Sequence, residues 1–186
     1  MQMIENELFN RCKTTLKKTS YDKENKEYMT DSTFEVICFD DVKKKFSADL
    51  EFKEIPKSND ALVVSKKGYC FIEFKNKRFN FKDNKLDNKD IYELWLKNYD
   101  SMLIFSNITG VGVDFICKNM DYILVYSEEK TPSLSKFAEG LSKRGGMKFN
   151  KFNLKLDKFE NLCFREVFTY SKQEFEKEFV SKFERS

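Results

Sequence analysis

Two runs of alternating residues, DALVV at 60–64 and YCFIEFK at 69–75, are separated only by the polar stretch SKKG. Alternation with a period of two marks a strand, and two such runs joined by a short glycine-bearing turn pair as an antiparallel hairpin. The alternation also assigns faces. Cys70, Ile72 and Phe74 point to one side of the sheet, and Tyr69, Phe71, Glu73 and Lys75 to the other. Asp60, which opens the first run, is carried back beside Glu73 and Lys75, which close the second. Any fold open to this chain therefore has to accommodate two acids and a lysine at one end of a sheet.

Around that hairpin the chain reads as a succession of helices and strands. Ile4, Leu8, Cys12 and Leu16 stand at helical spacing and predict an amphipathic first helix, followed by a polar loop, SYDKENKEYMTD. Ser32 and Glu35 form a capping-box pattern ahead of Phe34, Ile37, Cys38, Val42 and Phe46, which predicts a second helix. ADLEFKEI at 48–55 reads as a strand preceding the hairpin. After a charged loop, Ile91, Leu94, Trp95, Met102 and Phe105 share one face of a helix over 91–105; Leu96, Tyr99 and Leu103 widen that face and predict deep burial. MDYILVYS at 120–127 has the composition of an interior strand. Leu134, Phe137, Ala138 and Leu141 predict a short helix ended by Gly145 and Gly146, and KFNLKL and LCFREVFTY predict late strands. A last helix starts at the Ser171/Glu174 capping box and carries Phe175, Phe179 and Phe183. The expected class is α/β, with a mixed central β-sheet flanked by helices.

A chain of 186 residues is long enough for one domain with a sizeable core and short for two, so a single domain over 1–186 is expected. Twenty Phe and 8 Tyr supply that core, while 35% charged residues supply a wetted exterior. No stretch approaches the roughly 18 apolar residues of a membrane span, and MQMIENELFNRCK lacks the apolar centre of a signal peptide. The expected address is cytoplasmic, with no membrane partner. Five cysteines, Cys12, Cys38, Cys70, Cys117 and Cys163, form no CxxC pair, which argues against a disulfide framework or a zinc site.

The chain contains no histidine. That excludes Ser-His-Asp and Cys-His catalysis and most transition-metal sites, leaving carboxylates, lysines, hydroxyls and thiols. Two carboxylates held close together resist joint ionisation unless a cation lies between them, so Asp60 and Glu73 read as a hard-metal site. Mg2+ suits it, with Mn2+ as a substitute, because Mg2+ takes one or two carboxylates and leaves other positions for water and a phosphate. Lys75 would then steady developing negative charge. Phosphodiester hydrolysis is the reaction that uses all three groups.

These residues resemble the PD-(D/E)xK nuclease superfamily, the restriction-endonuclease-like fold. Asn59-Asp60 is similar to the first half of the motif, with asparagine where the family usually has proline, and Glu73-Phe74-Lys75 to the second. A helix-strand-strand-strand-helix-strand order from about 32 to 127 would be that family's core. The resemblance implies Asp60 and Glu73 as metal ligands, Lys75 as the catalytic lysine, and a divalent-metal-dependent endonuclease acting on nucleic acid, DNA ahead of RNA. Many members add an acid from an early helix, for which Glu7 and Glu35 are the candidates here. The alternatives are a non-catalytic nucleic-acid or protein-interaction module on the same fold, and an RNA-cleaving, toxin-like nuclease. Cutting both strands of a duplex would favour a homodimer.

The net charge of +3 decides nothing about nucleic acid, so distribution has to. Lys77, Arg78, Lys82 and Lys85 after the hairpin, and Lys143, Arg144, Lys148, Lys151, Lys155 and Lys158 later, are candidate phosphate contacts, as readily explained as solvated loops. Phe79, Phe81, Phe149 and Phe152 between them are base-stacking candidates that as strand residues read better as core. Lys97 and Asp100, on the helix after the hairpin, read as solvated helix surface. Gly140, Gly145 and Gly146 form no phosphate loop, since no lysine-serine signature follows.

Overall fold

The computed structural model describes residues 6–48, 50, 53–79, 81–82, 85–132, 151, 154–160 and 162–184, without the side chains of 81–86. It is an α/β structure: a six-stranded mixed sheet with helices on both faces. The elements in order are α1 (Glu7–Asn10), β1 (Lys13–Thr15), α2 (Leu16–Thr19), β2 (Tyr21–Asp22), β3 (Glu27–Tyr28), β4 (Glu35–Cys38), α3 (Phe39–Ala48), β5 (Ala61–Ser65), β6 (Gly68–Lys75), β7 (Phe81–Lys82), β8 (Lys85–Leu86), α4 (Asn88–Thr109), α5 (Val113–Asn119), β9 (Met120–Tyr126) and β10 (Val167–Ser171). A final helical stretch begins with α6 (Lys172–Phe175), passes through a π-helical turn over Glu176–Val180 and ends at Phe183.

The large sheet has the order β1-β4-β5-β6-β9-β10. Its first four strands are antiparallel neighbours, and β9 and β10 add in parallel to β6. A parallel neighbour needs a crossover, which α4 and α5 supply between β6 and β9. β2 with β3, and β7 with β8, form separate two-stranded ribbons.

The β5–β6 hairpin has the register expected from its alternation, Ala61 against Ile72 through Ser65 against Gly68. Tyr69, Phe71, Tyr122 and Leu124 pack on the face covered by α3, α4 and α5, with Phe39, Leu94 and Phe105. Cys70, Ile72, Ile123 and Val125 pack on the other, with Leu16, Tyr170 and Phe175. Gly68 closes the turn at φ +130°, a conformation side chains avoid, and a Cβ there would lie 2.3 Å from the carbonyl oxygen of Asn119.

Several expectations need correcting. The first helix does not run through to Leu16: α1 ends at Asn10, and Lys13–Thr15 pair with Glu35–Ile37 as a strand before Thr15 caps α2. Ile4 lies outside the described residues. The Ser32/Glu35 pattern caps no helix, because 35–38 is claimed by strands on both sides and helix α3 starts only at Phe39. The Ser32 hydroxyl instead donates to Glu184, 2.6 Å away. The described part of 48–55 contains no strand, Ala48 being the last residue of α3. Around the hairpin, the order from 35 to 126 is therefore strand, helix, strand, strand, a small ribbon, two helices and strand.

The long helix forms as expected, but Leu96, Tyr99 and Leu103 are exposed. Asp87 caps its start, and Gly110 ends it in the left-handed conformation. KFNLKL makes no strand in its described residues, whereas 167–171 does, and the Ser171/Glu174 capping box is formed. The helix expected around Leu134 to Leu141, with Gly140, Gly145 and Gly146, lies outside the described residues. No single helix among the described residues is long and apolar enough to cross a membrane.

Candidate active site

At the open end of the hairpin, Asp60 and Glu73 come together. Asp60 immediately precedes β5, and its N–H donates to the Ile72 carbonyl at 3.0 Å, extending the ladder by one step. Its Oδ2 accepts a 2.7 Å hydrogen bond from the N–H of Phe74, which fixes the carboxylate against β6. Glu73 projects from the face that α4 covers and is 1% exposed. One of its oxygens, Oε2, has no hydrogen-bond partner among the described residues.

A lysine from α4 joins them. Lys97 Nζ lies 2.6 Å from Glu73 Oε1 and 3.7 Å from Asp60 Oδ1. Two hydrogen bonds to the residue before Asp60 hold that part of the helix in place. The N–H of Asn59 donates to Ser101 Oγ at 2.8 Å, and its side-chain amide donates to Asn98 Oδ1 at 3.1 Å. Glu73, Asn59, Asn98 and Ser101 are buried and Asp60 and Lys97 partly so, which reduces the screening of their hydrogen bonds and charges by water.

Lys75 is also buried, but its ammonium pairs with Glu93 at 3.1 Å. Glu93 receives Lys77 at the same distance, and Lys77 reaches Asp90 at 3.4 Å. Asp90, Glu93 and Lys97 recur at intervals of three and four along α4 and so share one face. A fifth acid, Asp40, comes from the first turn of α3, where it accepts from Ser58 Oγ at 2.6 Å and pairs with Lys43 at 2.8 Å.

Asp40, Asp60, Glu73, Lys75 and Lys97 all line one open cavity of about 360 Å³, together with the Thr19–Glu24 segment and Asn76. Burial raises the Asp60 carboxyl above its ordinary value against the pull of Lys97. Burial and the nearby Asp60 raise Glu73 to about 8, again opposed by Lys97. Burial lowers Lys75, partly offset by Glu73 and Glu93. Burial disfavours the Lys97 ammonium too, but the charges of Glu73 and Asp60 outweigh it and raise the group. Burial acts against ionised Glu93 as well, yet Lys75 and Lys77 hold it at about 2. Asp40 stays low despite its burial because Lys43 and Ser58 hydrogen-bond its charged form.

Of the three residues expected at the site, the structure places Asp60 and Glu73 around a shared cation and Lys75 on the same cavity. Glu7 pairs with Arg11 and Glu35 with Lys13, and neither lines the cavity. Asp100 accepts from the Lys57 N–H outside it. Lys97, read from sequence as solvated, is central; Asp40 and Glu93 were not singled out. The Asp90, Glu93, Lys97 spacing was the available signal, since the same stretch of helix places buried Asn98 and Ser101 among apolar residues. Of the basic runs, Lys77 and Lys151 are paired with acids, Lys158 lies 3.0 Å from the centre of the Trp95 ring, and Phe79 is core. Lys143, Arg144, Lys148, Phe149 and Phe152 lie outside the described residues.

Asp60 and Glu73 suit a hard divalent cation. Two carboxylates of opposing strands meet, Glu73 Oε2 is without a partner, and a positive charge already lies between them. No group of three or more acidic or thiol residues among the described residues is gathered to hold a metal. The protein's share would then be two carboxylates, which matches the modest demand of Mg2+.

No protein-family model matches this chain, and neither the curated proteins nor the solved structures contain a match to it.

Proposed function

We propose that this chain is a divalent-metal-dependent nuclease that hydrolyses phosphodiester bonds, in DNA ahead of RNA, on a core resembling the PD-(D/E)xK nucleases. The observation that carries the reading is the convergence of half-buried Asp60 and buried Glu73, with one Glu73 oxygen unpartnered among the described residues, on a cavity that also receives Lys75. The topology supports it as well. Three antiparallel neighbours, β4, β5 and β6, are followed by the long helix α4 and by a strand parallel to β6. In this reading the first core strand is 35–38, with α3 inserted after it.

Asp60 and Glu73 would hold Mg2+, and Mn2+ in its place; the ion would polarise the phosphate and offset the charge that builds on it. The chain's own groups do the rest. The Phe74 N–H fixes which oxygen of Asp60 faces the cavity. Lys75 brings a positive charge to the same space, and Glu93 positions it from behind. Glu73 and Lys75 are buried, so their charges are weakly screened by solvent.

A second reading has its own observation. With Lys97 between the acids and Glu93 on Lys75, the charges are already neutralised, as a non-catalytic binding module on this fold would leave them. Cleavage of plasmid DNA and single-stranded RNA in Mg2+, Mn2+ or EDTA separates the two. Metal-dependent cutting that disappears in Glu73→Ala and Lys75→Ala supports the nuclease and identifies its substrate. Inactivity of the folded parent protein on both substrates refutes it and favours the module.

A further inference from the structure

Lys97 stands where the cation of the proposed site would stand. Its ammonium is within 4 Å of one oxygen from each carboxylate, and its side chain is 18% exposed. A divalent ion bound by both acids and an ammonium in the same position exclude each other, by volume and by charge repulsion. The helix carrying Lys97 is clamped to Asn59 through Asn98 and Ser101, so α4 itself is not free to withdraw. A lysine ammonium, however, sits on a flexible four-carbon stem and swings without its backbone. Asp40 lines the same cavity and offers a carboxylate to a displaced ammonium.

From this geometry we propose that Lys97 is a tethered counter-ion that a divalent cation has to displace from Asp60 and Glu73. The inference rests on those acids being the metal ligands. It makes the metal-free protein a self-neutralised state and makes metal affinity the result of a competition inside the chain. If the ammonium holds the site in about nine molecules of ten, the apparent metal affinity is weakened roughly tenfold.

Mn2+ binding, measured by calorimetry and by the loss of free-Mn2+ electron paramagnetic resonance signal, tests this without nucleic acid. Lys97→Met binds Mn2+ roughly tenfold more tightly than the parent protein, and its melting temperature rises more on Mn2+ addition. In the parent protein, acetylation mapped by mass spectrometry shows Lys97 more reactive at saturating Mn2+ than in EDTA, with Lys182 unchanged. Equal or weaker binding by Lys97→Met, no binding by either protein, or constant Lys97 reactivity overturns the proposal. Should the variant fail to fold, the acetylation pattern of the parent decides alone. A protein that exchanges Lys97 for Mn2+ but cuts neither DNA nor RNA refutes the nuclease reading and leaves this one standing. Mg2+-dependent cutting with Lys97 unmoved does the reverse.

Discussion

The β5–β6 hairpin carries charge at both ends, and the two ends handle it differently. At the turn, Arg165 grips Asp121 through two parallel hydrogen bonds of 2.9 and 2.6 Å, and gives a third to the Lys67 carbonyl at 3.1 Å. That guanidinium is 40% exposed and its partners satisfy it. At the open end Glu73 is fully buried, Asp60 and Lys97 are partly so, one lysine serves two acids, and a Glu73 oxygen is left over among the described residues. The first arrangement is one a surface pair reaches at little cost. The second keeps a desolvation cost that packing alone does not repay, and such sites are where proteins concentrate chemistry.

Substitutions at the two ends should therefore report in different assays. Asp60→Asn and Glu73→Gln should lower metal-dependent phosphodiester cleavage on the order of 10³-fold, read as kcat on a defined duplex, while leaving the fold intact. A comparable loss from Asp121→Asn would erase the contrast. The turn end should report in stability. Gly68→Ala places a side chain at φ +130° and against the Asn119 carbonyl, and should cost about 3 kcal/mol in urea unfolding.

The pH dependence of folding sharpens the comparison further. A carboxyl raised in the fold binds its proton more tightly there than in the unfolded chain. Its contribution to stability is complete below the ordinary carboxylate value and is lost as pH climbs to about 8. The unfolding free energy from urea titrations should fall across that interval by up to about 1.4 kcal/mol per pH unit, and Glu73→Gln should flatten the slope. A slope that persists in Glu73→Gln would assign it to another group. The smallest effect belongs to Asp121→Asn, a change of about 1 kcal/mol or less that weakens further in salt, measurable in the same urea titrations.

Sequence exposed the hairpin and its acids because both depend on local rules. Alternation fixed the faces of Phe71 and Ile72, and SKKG fixed the register, so Asp60 had to meet Glu73. The first forty residues were misread for the opposite reason. Cys12 and Leu16 end buried and Leu8 partly so, yet they lie in α1, the turn after it and α2 and not in one helix. Ser32 and Glu35 satisfy a local capping rule that pairing with β1 and β5 overrides. Lys97 was discounted because a lysine on a helix is normally wet. Only the docking of α4 over β6 shows that this one lies against Glu73 and Asp60.

The parallel joining of β6 to β9 also bears on how the molecule assembles. The two acids belong to one hairpin closed by a tight turn, which forms early and locally. The lysine that reconciles them arrives on α4, within the long crossover that must close before Tyr69 meets Met120 and Lys75 meets Tyr126. A hairpin formed ahead of that crossover would hold two like charges with no answering cation, and α4 would be drawn in by electrostatic attraction as well as by its apolar face. Stopped-flow refolding should accordingly slow as ionic strength rises, with the Glu73→Gln chain less sensitive to salt. A chain assembled in this order would complete its candidate site only once α4 had docked.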